Sequence, residues 1–295
     1  MKNTFIILFG ICLILQLPSH CKSAEPAGSL TGSFTVYDGL GYRNKPDLTA
    51  FGMKELYIAY TAEIWSGVSS HDQPNEIAVR NVARKMRPKV PLVLDVEHWK
   101  LQGRDRQVEE NIDKLIRLAD WVHKENPDQK VGFFGLMPIS NAYKELNYAK
   151  ATLNLLGLPR IKEEYRELQA DNSRLKRLAS HVDFVCPVLY TFKNLNGAAY
   201  DKCWDTMAVN AIAEARQYGK PIYVFLWPQF FDHKERTGDR AFIPDTFWRH
   251  ELELARNNKA DGAIIWGSTT FRKAGWNGDD PWWKITREFV ASIKK

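Results

Sequence analysis

The chain has 295 residues, 44% of them hydrophobic, and a formal charge of +6. That length suits one large α/β domain or two smaller ones. The charge excess is mild and its basic runs, such as Arg84-Lys-Met-Arg87, are short and interrupted; this excludes a nucleic-acid module and leaves solvated helix faces to explain them.

Residues 1–24 read as a secretory signal peptide. Met1-Lys-Asn-Thr4 is a short basic lead, residues 5–17 are an apolar run too short to span a bilayer, and small residues for cleavage follow near Ser23 or Ala24. Pro-Ser-His before Cys21 is a poor context for lipid attachment. Removal of Lys2 and Lys22 with the signal lowers the charge to +4. No later segment is apolar enough to cross a membrane. Residues 25–295 are therefore expected as an exported protein, secreted or periplasmic, monomeric and free of the membrane once processed.

Along residues 25–295, strands are predicted at 33–37, closed by Asp38-Gly39, and at 55–60. A helix is predicted over 75–87, between the start signal His71-Asp-Gln-Pro74 and the stop at Pro88. The third strand, 92–95, carries two acids at its end. Val108, Ile112, Leu115, Ile116, Ala119 and Val122 recur at helical spacing over 105–125. Strand four is 130–134, and a long segment without a motif runs to about Gln169. A polar helix over 171–180 precedes strand five, 183–190; a helix over 199–218 ends at Gly219; strand six is 221–227. A helix from Ile243-Pro-Asp245 to Asn258, strand seven at 261–266 and a last helix over 281–293 complete the order. Pro281-Trp-Trp283 reads as packing for that last helix.

Each strand is an apolar run rather than an alternating one, as when both faces are covered. No GxGxxG turn follows the first strand, which counts against a dinucleotide-binding sheet. Strands alternating with helices in one chain, without a Pro-, Gly- or Ser-rich linker, predict a single-domain TIM-type (β/α) barrel of seven or eight strands.

The chemistry concentrates in Pro91-Leu-Val-Leu-Asp-Val-Glu-His-Trp99. Residues i and i+2 of an extended chain share a face, so Asp95 and Glu97 emerge side by side at a strand end, where barrels place catalytic groups. Two close carboxylates push their pKa values apart, which leaves one protonated as an acid and one ionised. The competing reading is a strand cap, with Asp95 taking loop N–H groups and Glu97 solvated.

The other strand ends supply Tyr37, Tyr60, Phe133, Phe134, Tyr190, Trp227 and Trp266. Two acids ringed by aromatics suit a sugar, whose C–H faces stack on aromatic rings while a raised-pKa acid protonates the leaving oxygen. Tyr190 and Trp266 are the stronger substrate-binding candidates; Tyr37 and Trp227 join them by position. Phe133 and Phe134 lack a polar handle and read as core or wall, and His98 and Trp99 as shapers of the loop. The order of residues contains no phosphate loop, metal cluster or Ser/His/Asp set, so no cofactor or metal is expected. Cys186 and Cys203 either pair, closing a loop of roughly 17 residues worth ~3 kcal/mol, or stay buried and free.

In the same order along the chain, Phe34-Thr-Val-Tyr37, Leu94-Asp-Val-Glu-His-Trp99, residues 183–190 with Pro187 before Tyr190, and Ala260-Asp-Gly-Ala-Ile-Ile-Trp-Gly-Ser268 resemble glycoside hydrolases of the animal and venom hyaluronidase type, family 56. The last segment is the most specific. The chain departs from that family at Phe133, Phe134 and Leu136, where the family is tyrosine-rich, and in lacking its disulfide framework and EGF-like tail. The resemblance implies a barrel hydrolase of an N-acetylhexosamine polysaccharide, hyaluronan-like glycosaminoglycan first. It also implies a substrate-assisted retaining mechanism: Glu97 as acid and then base, Asp95 orienting the substrate's 2-acetamido group, Tyr190 bonding that group and Trp266 lining the subsite. The alternatives are a lysozyme-type muramidase acting on peptidoglycan, and a barrel that binds glycan without cleaving it.

Overall fold

The computed structural model describes residues 34–139, 147, 159–192, 198–231 and 238–294. The assigned signal peptide and Cys21 lie outside the described residues. Among the described residues the strands are β1 (Thr35–Gly41), β2 (Lys54–Glu55), β3 (Tyr57–Ala59), β4 (Leu92–Leu94), β5 (Val131–Phe133), β6 (Tyr223–Leu226) and β7 (Gly262–Ser268). All their pairings are parallel, in two sheets ordered β2-β1-β7-β6 and β3-β4-β5.

The two sheets join at both edges. β2 and β3 are one extended stretch interrupted at Leu56. At the other edge, residues 183–189 lie between β5 and β6. Asp183 N donates to Val131 O at 2.8 Å and Gly135 N to Cys186 O at 3.1 Å on one side; Val185 N donates to Pro221 O and Leu189 N to Phe225 O, both at 2.9 Å, on the other. The pairings thus run round a ring of seven positions, the expected barrel. The fifth position forms isolated bridges instead of the continuous strand expected over 183–190. Pro187 explains this, since it has no N–H to donate to a ladder.

The pleat divides the core into two layers. Inside the ring sit Tyr37, Val93, Phe184, Cys186, Tyr190, Phe225, Trp227 and Ile264. Their sequence neighbours Val36, Leu92, Leu94, Val224, Leu226, Ala263 and Ile265 point outward into the layer shared with the helices. Gly132, the inward position of β5, is filled by the Phe184 ring: a Cβ there would lie 2.5 Å from Phe184 Cε2 and 2.8 Å from the Phe184 carbonyl oxygen. Gly132→Ala is expected to cost ~1–3 kcal/mol through overpacking, read as a lower urea midpoint; an unchanged midpoint would mean that Phe184 moves freely.

The helices are α1 (Thr61–Ile64), α2 (Glu76–Lys85), α3 (Arg106–Glu125), α4 (Pro159–Arg174), α5 (Lys176–Ala179), α6 (Ala198–Ala215), α7 (Asp245–Asn257) and α8 (Pro281–Ser292). Two starts follow the capping rule: Asn75 accepts from Ala78 N before α2, and Asp105 from Val108 N before α3. The periodic stripe of α3 is buried as its spacing requires, apart from Ile116, which is half-buried while Leu118 takes a place in the core. The 3-10 turn Arg216–Tyr218 after α6 ends at Gly219, whose φ of 63° is left-handed. Trp282 and Trp283 are buried packing residues.

Two expectations are corrected. β1 does not close at Asp38-Gly39 but continues to Gly41, because Gly39 admits the Ile264 side chain and the Ile265 carbonyl of β7 at distances a side chain would block. The polar helix expected over 171–180 instead spans Pro159–Arg174, followed by Lys176–Ala179. Its inward residues Tyr165 and Leu168 are sparse among charges, so the apolar periodicity is too weak to mark its start.

Candidate active site

β4 ends at Leu94, and the acidic segment leaves it held on both sides. Asp95 N donates to Ala59 O at 2.9 Å, at the end of β3, and Phe134 N, just past β5, donates to Leu94 O at 3.1 Å. Thr61 Oγ1 donates to the Asp95 carbonyl at 3.3 Å. Val96 is buried, and alternation about it turns Asp95 and Glu97 to the same side. The segment is then clamped to a neighbouring loop: Trp99 Nε1 donates to His71 O at 3.0 Å, and His98 Nε2 lies 3.1 Å from the same oxygen. The Trp65 ring packs edge-on against Trp99 at 5.4 Å. His98 and Trp99 therefore shape the loop, as their position suggests.

Among the described residues, neither Asp95 nor Glu97 has a side-chain hydrogen bond or an ion pair. This argues against the strand-cap reading of Asp95. Burial, and then the charge of Glu97, push the Asp95 carboxyl from 3.8 up to about 7; burial also raises Glu97. The pair thus holds a proton near neutrality.

Tyr190, only 8% exposed, lies within electrostatic reach of the acids; burial and then the charges of Tyr60, Asp95 and Glu97 hold its phenol far above the usual range. Its ring stacks on half-buried Trp266 at 5.9 Å and an interplanar angle of 29°. Trp266 Nε1 donates to the Tyr60 hydroxyl at 3.1 Å, a bond linking the ends of β7 and β3 across the mouth. Tyr60 is legible in the sequence as a strand-end aromatic but not as a site residue, because its link to Trp266 spans 206 positions.

Two of the substrate-binding expectations are corrected. Trp227 is 1% exposed, too buried to touch a sugar; it backs Trp266 edge-on at 4.8 Å and Tyr190 at 5.4 Å, with its Nε1 donating to Gln229 Oε1 at 3.2 Å. Tyr37 is not at the mouth. With β1 running on to Gly41, it lies mid-barrel, its ring 4.9 Å from that of Tyr223 at the start of β6, and it feels Cys186 and Asp261 rather than the acid pair. Cys186 and Cys203 are both buried and form no disulfide with each other, which excludes the pairing.

A cavity of about 620 Å³ opens beside the pair, with Glu97, Phe134 and Tyr190 in its wall. A second cavity of about 630 Å³, walled by Asp38, Glu55, Tyr57 and Arg87, touches neither acid. The site so built can donate and recover a proton at Glu97, accept a hydrogen bond at Asp95 and stack a ring on Trp266.

No protein-family model and no curated protein sequence matches the chain. Solved structures do. Bee venom hyaluronidase is 14% identical with a TM-score of 0.57, over 89% of this chain and 100% of that one. The same enzyme in complex with a hyaluronic acid tetramer is 14% identical with a TM-score of 0.54, over 89% of this chain and 96% of that one. The likeness establishes a TIM-type α/β barrel fold and, at that identity, a distant structural relationship.

Proposed function

We propose that this chain is a glycoside hydrolase that cleaves a glycan containing N-acetylhexosamine, with the substrate's own 2-acetamido group as nucleophile. The observation that carries this reading is the acid pair itself. Asp95 and Glu97 leave one strand end on one side, hold a proton near neutrality, and have no cation to neutralise them among the described residues. Carboxylates so close together cannot stand on opposite faces of a sugar ring, so the usual arrangement of an acid facing a carboxylate nucleophile does not apply.

Glu97 gives its proton to the glycosidic oxygen as the bond from that oxygen to C1 breaks. The acetamido oxygen closes onto C1, while Asp95, ionised when the single proton of the pair lies on Glu97, accepts the acetamido N–H and steadies the positive charge that develops. Glu97 then takes a proton from water as the hydroxyl adds to C1, which opens the ring and restores the acid. Tyr190 bonds the acetamido group, and Trp266, held by Tyr60, offers its face to the sugar. The fold shared with bee venom hyaluronidase, one structure of which holds a hyaluronic acid tetramer, supports a glycan substrate. The signal-like residues 1–24 support an exported site of action.

The test is release of new reducing ends by the purified protein from hyaluronan, chondroitin, chitin oligomers and peptidoglycan. Cleavage of one of them with retained anomeric configuration supports the reading and names the substrate; peptidoglycan alone would make the protein a muramidase. Binding without cleavage of any of them, and without release of nitrophenol from a nitrophenyl N-acetylhexosaminide, would make it a glycan-binding barrel.

A further inference from the structure

The two halves of the barrel mouth differ in chemistry. On the side of β3 and β7, Tyr60 and Trp266 present a hydroxyl and an indole joined by a hydrogen bond. On the side of β5 and residues 183–189, the 620 Å³ cavity is walled by Phe134, Leu136, Val188, Phe192 and Phe231, with Glu97 and Tyr190 at the boundary. Phe134, Val188, Phe192 and Phe231 are half-buried, so apolar surface faces the cavity immediately next to the acid. Lys100, the cation among the described residues of that wall, is spent on Asp105 at 2.5 Å. A uronate or another anionic sugar placed there would meet among those residues only Lys100, already paired with Asp105, and a neutral sugar would find side-chain hydrogen-bonding groups only at Glu97, Tyr190 and Gln102 against a largely apolar wall. The volume falls within the roughly 300–1,000 Å³ of small-molecule sites.

We infer that this cavity is the leaving-group seat and takes an apolar aglycone, alkyl or aryl, attached to the N-acetylhexosamine. The inference rests on the glycosidase reading above and narrows its substrate to glycoconjugates in which the group beyond the scissile oxygen is apolar. Glu97 lines this cavity while Asp95 lies near Tyr60, so the proton of Glu97 passes to the oxygen joining sugar and aglycone. The aglycone leaves as the neutral alcohol or phenol, and water supplies the hydroxyl at C1.

Binding separates this proposal from the reading it rests on. The Glu97→Gln protein, which cannot turn over substrate under that reading, is titrated calorimetrically with methyl, octyl and phenyl β-N-acetylglucosaminide and with a chitin trimer, octyl below its micelle concentration. The octyl and phenyl glycosides are expected to bind at least tenfold more tightly than the methyl glycoside, the ratio given by burying about two methylenes. Val188→Asn and Phe192→Ser, each made separately, should bring that ratio close to one. Unchanged affinity for the methyl glycoside in each variant shows that the fold and the sugar seat survive. Equal binding of methyl and octyl glycosides, or tightest binding of the trimer, overturns the apolar seat and leaves the glycosidase reading standing. Failure of every glycoside to bind overturns both.

Discussion

Glu97→Gln is expected to lower turnover of the natural glycan by about 10²–10⁴-fold, the range for loss of one general acid–base group, without lowering the urea midpoint. The side chain is crowded by the cavity wall yet reaches solvent, and it has no hydrogen-bond or ion-pair partner among the described residues, so the amide removes a proton without removing a contact. The loss should shrink on a dinitrophenyl glycoside, whose leaving oxygen departs without protonation. An equal fall on both substrates would place Glu97 outside proton transfer, and a lowered midpoint would make it structural. The pH profile carries the same information. Burial raises Glu97, and Asp95 stands at about 7, so activity should decline as pH rises through neutrality and the pair loses its last proton.

The parts of this site that are local in the chain are legible in the amino-acid sequence. Leu92–Leu94 is an apolar run, and the spacing of Asp95 and Glu97 fixes their common side whether or not the ladder continues past Leu94. Trp266 likewise follows its own strand run, and a barrel brings the other strand ends to it. What local sequence does not carry is how far a strand extends. An end of the first strand at Gly39 would put Tyr37 at the rim; two more residues of pairing with β7, Leu40 with Gly267 and Gly41 with Ser268, lower it into the barrel beside Tyr223. Trp227 does stand at a strand end, but its depth is invisible in sequence, because burial there is decided by Tyr190, Trp266 and Arg240, whose guanidinium lies 4.8 Å from its ring. The apolar half of the mouth is the least legible. Phe134, Val188 and Phe231 come from three separate strand ends, and no single stretch of sequence carries the pattern that they form together.

That two carboxylates share so apolar a mouth has a cost in stability, and Asp95 is where it can be measured. Asp95→Asn should lower kcat by about 10²-fold, the size associated with one preorganised polar group, with KM changed far less, because the group acts on charge that develops only in the transition state. A pure rise in KM would contradict that role. The same variant should be more stable than the parent, and the sign follows from proton linkage. An Asp95 carboxyl at about 7 in the folded state and 3.8 when unfolded keeps its proton on folding across that window. The folded state therefore binds more protons than the unfolded one, and stability falls as pH rises from about 4 to about 7, then levels off. Asparagine carries no proton to lose and abolishes that decline. Urea midpoints for parent and variant should coincide near pH 4 and separate progressively, reaching ~1–3 kcal/mol in favour of the variant above pH 7, a figure reduced from the full linkage of ~1.4 kcal/mol per pKa unit because Asp95 is only half-buried. A variant that loses both activity and stability at pH 8 would show Asp95 to be a structural carboxylate, whereas one that loses activity while gaining stability marks a strained acid retained for its chemistry.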